Sequence, residues 1–329
     1  MDRKINAKIT GTGSFAPPRI LTNSDLEKIV ETSDEWIVAR TGIRERRIVE
    51  DGTCNSDLSL EASRIALKEA GLEPDQIDLI LVGTVTPDYL LPSTACILQD
   101  KLKAKNAAVL DIAAACSGFI YGLSIASAFI AVGQYQNVLV IGVETLSKIT
   151  NWKDRNTCVL FGDGAGAAVV SATSEERGIL GTFLSGDGSL ANLLHIPVGG
   201  SKTPLTKDNF DLGQQYISMQ GSEVFKSAVR AMEDAAGHII QKVGLAPEDI
   251  DLLIPHQANI RIIEALTKRL KLPAEKVYVN IDRYGNTSAA SVPIAMDEAR
   301  KKGLIKEGST TVLVAFGAGF TWGSAVIKW

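Results

Sequence analysis

Three residues of this chain have the types and settings from which nucleophilic chemistry can be built. Cys116 lies in Asp111-Ile112-Ala113-Ala114-Ala115-Cys116-Ser117-Gly118-Phe119, where a strand-like run meets a helix through residues small enough to let backbone and substrate approach. A cysteine at a helix N-terminus has its thiolate favoured by the helix dipole and by unpaired N–H groups. Those amides can also receive the oxyanion of a thioester carbonyl. The opposing reading is a buried, inert thiol, and the local sequence leaves both open. Cys54, Cys96 and Cys158 lack this setting and read as structural. His256, in Leu252-Leu253-Ile254-Pro255-His256-Gln257-Ala258-Asn259, follows a short apolar run, where it either points into a cleft or is a satisfied core histidine. His195 and His238 are weaker candidates, His238 because it falls inside a helix beside Ile239 and Ile240. Asn286, in Tyr284-Gly285-Asn286-Thr287-Ser288, stands between a strand and a helix, where asparagine beside glycine usually means only a turn.

An internal repeat lifts Asn286 above that reading. Gly71-Leu72-Glu73-Pro74-Asp75-Gln76-Ile77-Asp78-Leu79 recurs as Gly244-Leu245-Ala246-Pro247-Glu248-Asp249-Ile250-Asp251-Leu252. Each copy reads as a helix ending at glycine, a turn of proline and acids, then an apolar strand, Leu79 to Val82 and Leu252 to Ile254. At the same offset within one residue, Val138-Leu139-Val140-Ile141 matches Val312-Leu313-Val314-Ala315, continuous apolar runs that suit strands covered on both faces. Between them each half has a strand, a turn of small residues and a helix, and each half ends in a Gly-rich strand. The expected architecture is α/β: two similar halves whose mixed sheets pack round shared central helices, the segment after Cys116 being one of them because it lacks a polar face. The N-terminal half is assigned to residues 1–174, a loop-rich connection to 175–220 and the C-terminal half to 221–329. The Asn286 turn is the repeat partner of the Cys116 turn to within a few residues, so a pseudo-two-fold axis brings both to one cleft.

Bulk properties narrow the class. A net charge of −4 opposes nucleic-acid binding, so an anionic partner must meet a local basic patch. Lys226, Arg261, Lys268, Arg269 and Lys271 supply one, although a charged helix face is ordinarily just solvated. The four cysteines form no CxxC pair and suggest free thiols in a reducing cytoplasm. The N-terminus has no signal-peptide core and reads as a short strand. The uncharged stretch between Asp111 and Glu144 is broken by Gly118, Gly122, Gly133 and a polar turn, so membrane insertion is not expected. Neither Gly162-Asp163-Gly164-Ala165-Gly166, which leads into a strand, nor Phe316-Gly317-Ala318-Gly319-Phe320 has dinucleotide-binding spacing. The second reads as a tight loop presenting N–H groups beside the nucleophile.

Taken in order along the whole chain, these segments resemble β-ketoacyl-acyl-carrier-protein synthase III, the initiating condensing enzyme of dissociated bacterial fatty acid synthesis. The resemblance rests on Ser33-Asp34-Glu35-Trp36-Ile37 with Arg40-Thr41-Gly42-Ile43, the segment around Cys116, Phe161 to Gly166, His256 to Asn259, Gly285 to Ala290 and Phe316 to Gly323. It implies a thiolase-like fold and a Cys-His-Asn triad of Cys116, His256 and Asn286, with an oxyanion hole from the N–H groups of Cys116 and Ala318. It also implies decarboxylative condensation of acetyl-CoA or another short acyl-CoA with malonyl-acyl-carrier-protein. No metal or permanently bound cofactor is implied. Trp36 and Arg155 resemble the pair that sandwiches the CoA adenine, Arg40 a phosphate contact and Asn259 a pantetheine contact. Lys226, Arg261, Lys268 and Arg269 match the carrier-protein docking patch, which reverses the solvated reading. The family is homodimeric, and Leu91 falls where a partner residue closes the acyl pocket. Two positions depart from the usual pattern: Ala318 replaces a common glycine, with little effect where only an N–H is needed, and Leu91 replaces a frequent phenylalanine. The second change widens the pocket towards longer or branched primers.

Rival readings remain at this point. Elongating synthases use Cys-His-His and thiolases two cysteines with histidine, whereas this chain offers Asn286; plant-type polyketide synthases share Cys-His-Asn but carry different flanking motifs. A starter-unit synthase of a secondary-metabolite pathway shares nearly every motif above. From another class, a Cys-His-Asn thioester hydrolase of papain type is opposed by the duplicated buried strands, and an inactive scaffold by the intact triad.

Overall fold

One α/β unit occurs twice along the chain, and the computed structural model, which describes residues 5–210 and 212–329, shows what the repeat builds. Residues 1–4, the start of the run searched for a signal core, lie outside the described residues. Strands β1 (Asn6–Phe15), β2 (Leu79–Gly83), β3 (Ala108–Ile112), β4 (Asn137–Thr145) and β5 (Asp163–Thr173) form one sheet in the order β1-β5-β4-β2-β3. Strands β6 (Gly178–Gly186), β7 (Leu252–Pro255), β8 (Thr310–Gly317) and β9 (Thr321–Lys328) form another in the order β7-β8-β9-β6. The directions repeat as well. The β1–β5 and β5–β4 pairings are antiparallel and β4–β2 parallel, just as β6–β9 and β9–β8 are antiparallel and β8–β7 parallel.

The helices of eight or more residues among the described residues are α1 (Asp34–Thr41), α2 (Asn55–Ala70), α3 (Thr94–Leu102), α4 (Gly118–Ala131), α5 (Gly221–Lys242), α6 (Ile260–Arg269) and α7 (Ser291–Lys301). Helices α4 and α7 lie between the sheets, where Phe119, Ile120, Leu123, Met296 and Ala299 pack on Leu81, Val140 and Leu313. Burying side chains of this size contributes roughly 1.5–3 kcal/mol each, so this shared core is a main source of cohesion between the halves. Helices α2 and α3 cover the outer face of the first sheet, and α5 and α6 that of the second.

The repeated Gly…Pro…Asp segment has a mechanical basis. Gly71 and Gly244 take left-handed backbone, φ 67° and 73°, where the helices stop, a conformation that glycine adopts without steric cost. Asp78 then accepts hydrogen bonds from the N–H groups of Gln136 and Asn137 at 2.8 and 2.9 Å, and Asp251 accepts from that of Thr310 at 2.7 Å. Each repeated aspartate thereby ties its own strand to the start of the neighbouring parallel one.

Three features differ from the sequence expectation. The 175–220 segment, expected to be a loop-rich connection, opens with β6, a nine-residue strand of the second sheet and the counterpart of β1. Residues 277–280, expected to be a strand like β3, make a single parallel bridge between Leu253 and Val277. Beyond it the Asn280 N–H donates to the side-chain oxygen of Gln257 at 3.0 Å, so a side chain has taken the place of the next ladder carbonyl. Helix α4 is buried on the face carrying Phe119, Leu123 and Ala126, but Ala128 is exposed, so lack of a polar face does not mean burial all round. No helix among the described residues is long and apolar enough to cross a membrane.

Candidate active site

Cys116 sits in a single 3-10 turn, Ala115–Ser117, between β3 and α4. The turn is held from the second sheet: the Thr321 hydroxyl donates to the Ala114 carbonyl at 2.8 Å, and the Ser117 hydroxyl donates to the Thr321 carbonyl at 3.1 Å. The end of β8 comes so close that a Cβ on Gly317 would lie 2.6 Å from the Cys116 nitrogen. Glycine there lets the following residue, Ala318, line the same cavity as Cys116. One expectation is corrected. Burial, with the Glu144 carboxylate adding to it, pushes the Cys116 thiol up to about 12, so its surroundings outweigh the favourable position at a helix start.

His256 follows β7 and is fully buried, its N–H donating to the Val314 carbonyl at 2.8 Å. Its Nδ1 lies 2.6 Å from the Ser291 hydroxyl at the start of α7. Burial pulls the imidazole down to about 3, so the ring is neutral at physiological pH. The Asn286 turn is clamped by the backbone of the Gly-rich segment before β5. The Asn286 N–H donates to the Leu160 carbonyl at 2.8 Å, and the Gly162 N–H donates to the Asn286 carbonyl at 3.0 Å. The side-chain oxygen of Asn286 accepts the Ser288 N–H at 2.8 Å, leaving its NH2 group as the free end.

Cys116, His256, Asn286 and Ala318 all line one cavity of ≈ 380 Å³, walled largely by apolar side chains including Leu146, Ile217, Met219, Phe225 and Ile262. Convergence of the two repeat turns is thus realised. His195, a weaker candidate by sequence, also lines this cavity, with a shielded Nδ1 that has no hydrogen-bond partner among the described residues. His238 instead stacks on Phe183, with ring centroids 4.2 Å apart.

The remaining candidates fall around this cavity or on the surface. Trp36 on α1 is half-buried, with the Arg40 and Arg155 guanidinium carbons 5.0 and 4.9 Å from its ring centroid. An aromatic base entering between Trp36 and Arg155 must displace that guanidinium. Asn259 lines the cavity, but both ends of its amide are engaged: it donates to the Arg40 carbonyl at 3.0 Å and accepts the Arg261 N–H at 2.9 Å, capping α6. Its first role is therefore to join α1 to α6. Lys226 on α5 and Arg261, Lys268 and Arg269 on α6 have exposed or largely exposed side chains, Arg269 pairing with Glu233 and Lys226 with Glu223. Leu91 is 87% exposed and is not part of its own chain's cavity wall. Sequence reasoning missed Glu144, Ser288 and Ser291, all buried close to Cys116, His256 or Asn286; the one signal was serine three residues apart in the segment after Asn286.

Comparison with known proteins gives one consistent answer. The profile described as 3-oxoacyl-[acyl-carrier-protein] synthase III matches residues 110–188, and that of its C-terminal part matches 240–329. A β-ketoacyl-[acyl-carrier-protein] synthase III of Caldanaerobacter subterraneus subsp. tengcongensis is 60% identical over 329 residues, covering 100% of this chain and 99% of that protein. One from Natranaerobius thermophilus is 54% identical, covering 98% and 99%. The crystal structure of 3-oxoacyl-[acyl-carrier-protein] synthase III from Aquifex aeolicus superposes with a TM-score of 0.91 at 50% identity, covering 98% of this chain and 100% of that one. A priming β-ketosynthase of a polyketide biosynthetic pathway superposes with a TM-score of 0.92 at 34% identity, covering 100% and 97%.

Proposed function

The chain belongs to the 3-oxoacyl-[acyl-carrier-protein] synthase III family, and from that premise we propose how its own residues carry out the family's condensation. The enzyme is a condensing acyltransferase of thiolase-like fold that joins a short acyl-CoA to malonyl-acyl-carrier-protein and initiates fatty acid synthesis. The observation that carries the residue assignment is the lining of one apolar cavity by Cys116, His256, Asn286 and Ala318.

Cys116 attacks the acyl-CoA carbonyl, and the N–H groups of Cys116 and Ala318 receive the oxyanion before CoA leaves as its thiol. Malonyl-acyl-carrier-protein then enters and loses CO2, and negative charge develops on its thioester oxygen. Hydrogen-bond donors are needed there, and the Asn286 NH2 group is one, because its carbonyl end is held by Ser288. His256 is the other if its Nε2 bears the proton. The Ser291 hydroxyl oxygen accepts the Gln257 N–H at 3.4 Å and leaves its own proton to donate to His256 Nδ1. In a neutral ring that places the proton on Nε2. The carbanion attacks the acyl-Cys116 carbonyl, and expulsion of the thiolate yields 3-oxoacyl-acyl-carrier-protein.

Replacing Ser291 by alanine is expected to lower malonyl decarboxylation about tenfold, the worth of one hydrogen bond of ~1.4 kcal/mol, while acyl transfer changes by less than about threefold. Nitrogen-15 chemical shifts of His256 would show the tautomer ratio moving towards Nδ1–H, and Ser291→Thr should restore both readouts. An unchanged tautomer would sink this account of Ser291.

The acidic carrier protein would dock at Lys226, Arg261, Lys268 and Arg269, and CoA would run past Asn259 to Arg40 and the Trp36–Arg155 pair. A homodimer is supported by the exposed run Tyr89-Leu90-Leu91 after β2, apolar side chains that a second copy would cover while Leu91 closes its acyl pocket. The cytoplasm is the matching compartment for a chain with four free thiols.

The primary test is intact mass after mixing the protein separately with acetyl-CoA, isobutyryl-CoA and hexanoyl-CoA. With leucine at position 91, adducts are expected from acetyl-CoA and from at least one larger primer. An adduct from acetyl-CoA alone would mean that Leu91 does not widen the pocket, and none from any donor would overturn the proposal.

A further inference from the structure

Glu144, next to last in β4, is a fully buried carboxylate whose partners are all uncharged. It accepts hydrogen bonds from the hydroxyls of Thr84 (3.1 Å), Thr86 (2.6 Å) and Ser288 (3.0 Å), and from the Val85 N–H at 3.1 Å. Nothing in the condensation above uses it. A buried carboxylate without a cation is costly, and where one persists beside a reacting thiol its proton affinity is the property to examine.

The repeat makes the site more pointed. Matching Val138–Ile141 with Val312–Ala315 puts Glu144 opposite Ala318, so one sheet delivers a carboxylate to the nucleophile where the other delivers an oxyanion donor. Matching Gly71 with Gly244 puts Ser288 opposite Ala115: the two have left-handed φ of 47° and 45°, a strained state for either residue. Ala115 holds that backbone without a hydroxyl, so the turn does not require one at 288. The Ser288 hydroxyl instead donates to Glu144 at 3.0 Å, and Ser288 lines the same cavity as Cys116, on a turn packed against the cysteine's own. Burial raises Glu144 to about 7, a value at which it can exchange a proton near neutral pH. The other titratable groups at this point are Cys116 itself and His256, which is held neutral.

We propose that Glu144, acting through the Ser288 hydroxyl, takes the proton of the Cys116 thiol as the enzyme is acylated and returns it when condensation releases the thiolate. In the forward step the S–H bond breaks and its proton joins Ser288 Oγ, while the original Ser288 hydroxyl proton passes to Glu144. A thiol and a carboxylate become a thiolate and a carboxylic acid, and the buried site keeps a single negative charge throughout. This avoids two adjacent anions, the state that makes direct ionisation of Cys116 so unfavourable. The departing CoA thiolate takes its proton from water. After condensation the stored proton returns by the same path to Cys116, so each turnover consumes one proton, as decarboxylation of a malonyl carboxylate requires.

This inference rests on Cys116 being the acylated residue, which the acetyl-CoA labelling of the wild-type protein tests by itself. Its own test is the rate of Cys116 alkylation by iodoacetamide from pH 6 to 9, followed by peptide mapping, in wild type, Glu144→Gln and Ser288→Ala. At pH 7 Glu144→Gln and Ser288→Ala should react at least about tenfold more slowly than wild type. Their rates should climb about tenfold per pH unit, because solvent hydroxide must now remove the proton. A carboxylate that merely repels the thiolate predicts the opposite sign, so faster or unchanged alkylation in Glu144→Gln would overturn the proposal. Should Glu144→Gln fail to fold, Ser288→Ala decides, since Ala115 holds the same backbone conformation with alanine: faster or unchanged alkylation there would equally overturn it.

Discussion

Cys116→Ala is expected to give no mass adduct with any acyl-CoA and to reduce 3-oxoacyl product formation by more than about 10⁴-fold, the scale seen when a nucleophile is removed from a constellation that acts as a unit. The loss should be selective. His256 and Asn286 are held by Ser291, Val314, Leu160, Gly162 and the Ser288 backbone N–H, and none of these hydrogen bonds among the described residues uses the sulfur. Malonyl decarboxylation without condensation should therefore survive in the variant. The other thiols serve as controls. Cys158 is buried in a separate cluster with Leu26, Ile37 and Val159, Cys54 hydrogen-bonds Asp57 at the start of α2, and Cys96 is exposed on α3. Their replacement by alanine should leave acyl labelling intact. A persistent adduct in Cys116→Ala would move the nucleophile elsewhere, and simultaneous loss of decarboxylation would mean that the thiol also organises the second half-reaction.

How far the molecule could be read from its sequence depended on whether the relevant cause was local. The repeated Gly-Pro-Asp segments were legible because helix stop, turn and strand start are all specified within nine residues, and the structure uses them twice in the same way. Cys116, His256 and Asn286 were legible as candidates because each lies at a turn where a short apolar run or strand ends. What was hidden depends on contacts between distant segments. Strand β6 looks like connection because its side chains are mostly half-buried, and it is fixed by pairing with β9 over a hundred residues later. The 277–280 segment has the composition of a strand, yet the Gln257 side chain takes its next hydrogen bond. The raised thiol was the clearest miss: a helix start favours a thiolate, and only the folded chain reveals the burial and the Glu144 carboxylate that oppose it. Glu144 itself carried no signal, being one charged residue at the end of an apolar strand.

Alanine at His256 or at Asn286 is expected to slow malonyl decarboxylation about 10²–10³-fold, the cost of removing one preorganised donor from a developing oxyanion, while acyl transfer to Cys116 falls by less than about tenfold. The asymmetry follows from where charge develops. In the proposed acyl transfer the oxyanion is met by the backbone N–H groups of Cys116 and Ala318, which neither substitution removes. In the proposed decarboxylation it is met by the two side chains. Because both donors address one oxygen, the double variant should lose less than the product of the single losses. The pH dependence tests the form of the histidine. Burial depresses His256 to about 3, so its neutral ring is the species present from pH 5.5 to 8, and decarboxylation should show no histidine titration in that window. An imidazolium donor would instead give a rate that falls as pH rises past the ordinary histidine range near 6.5. Equal losses in both half-reactions would show that these side chains do not divide the work as proposed, and a rate falling above pH 6.5 would show that His256 gives a proton away where here it only shares one.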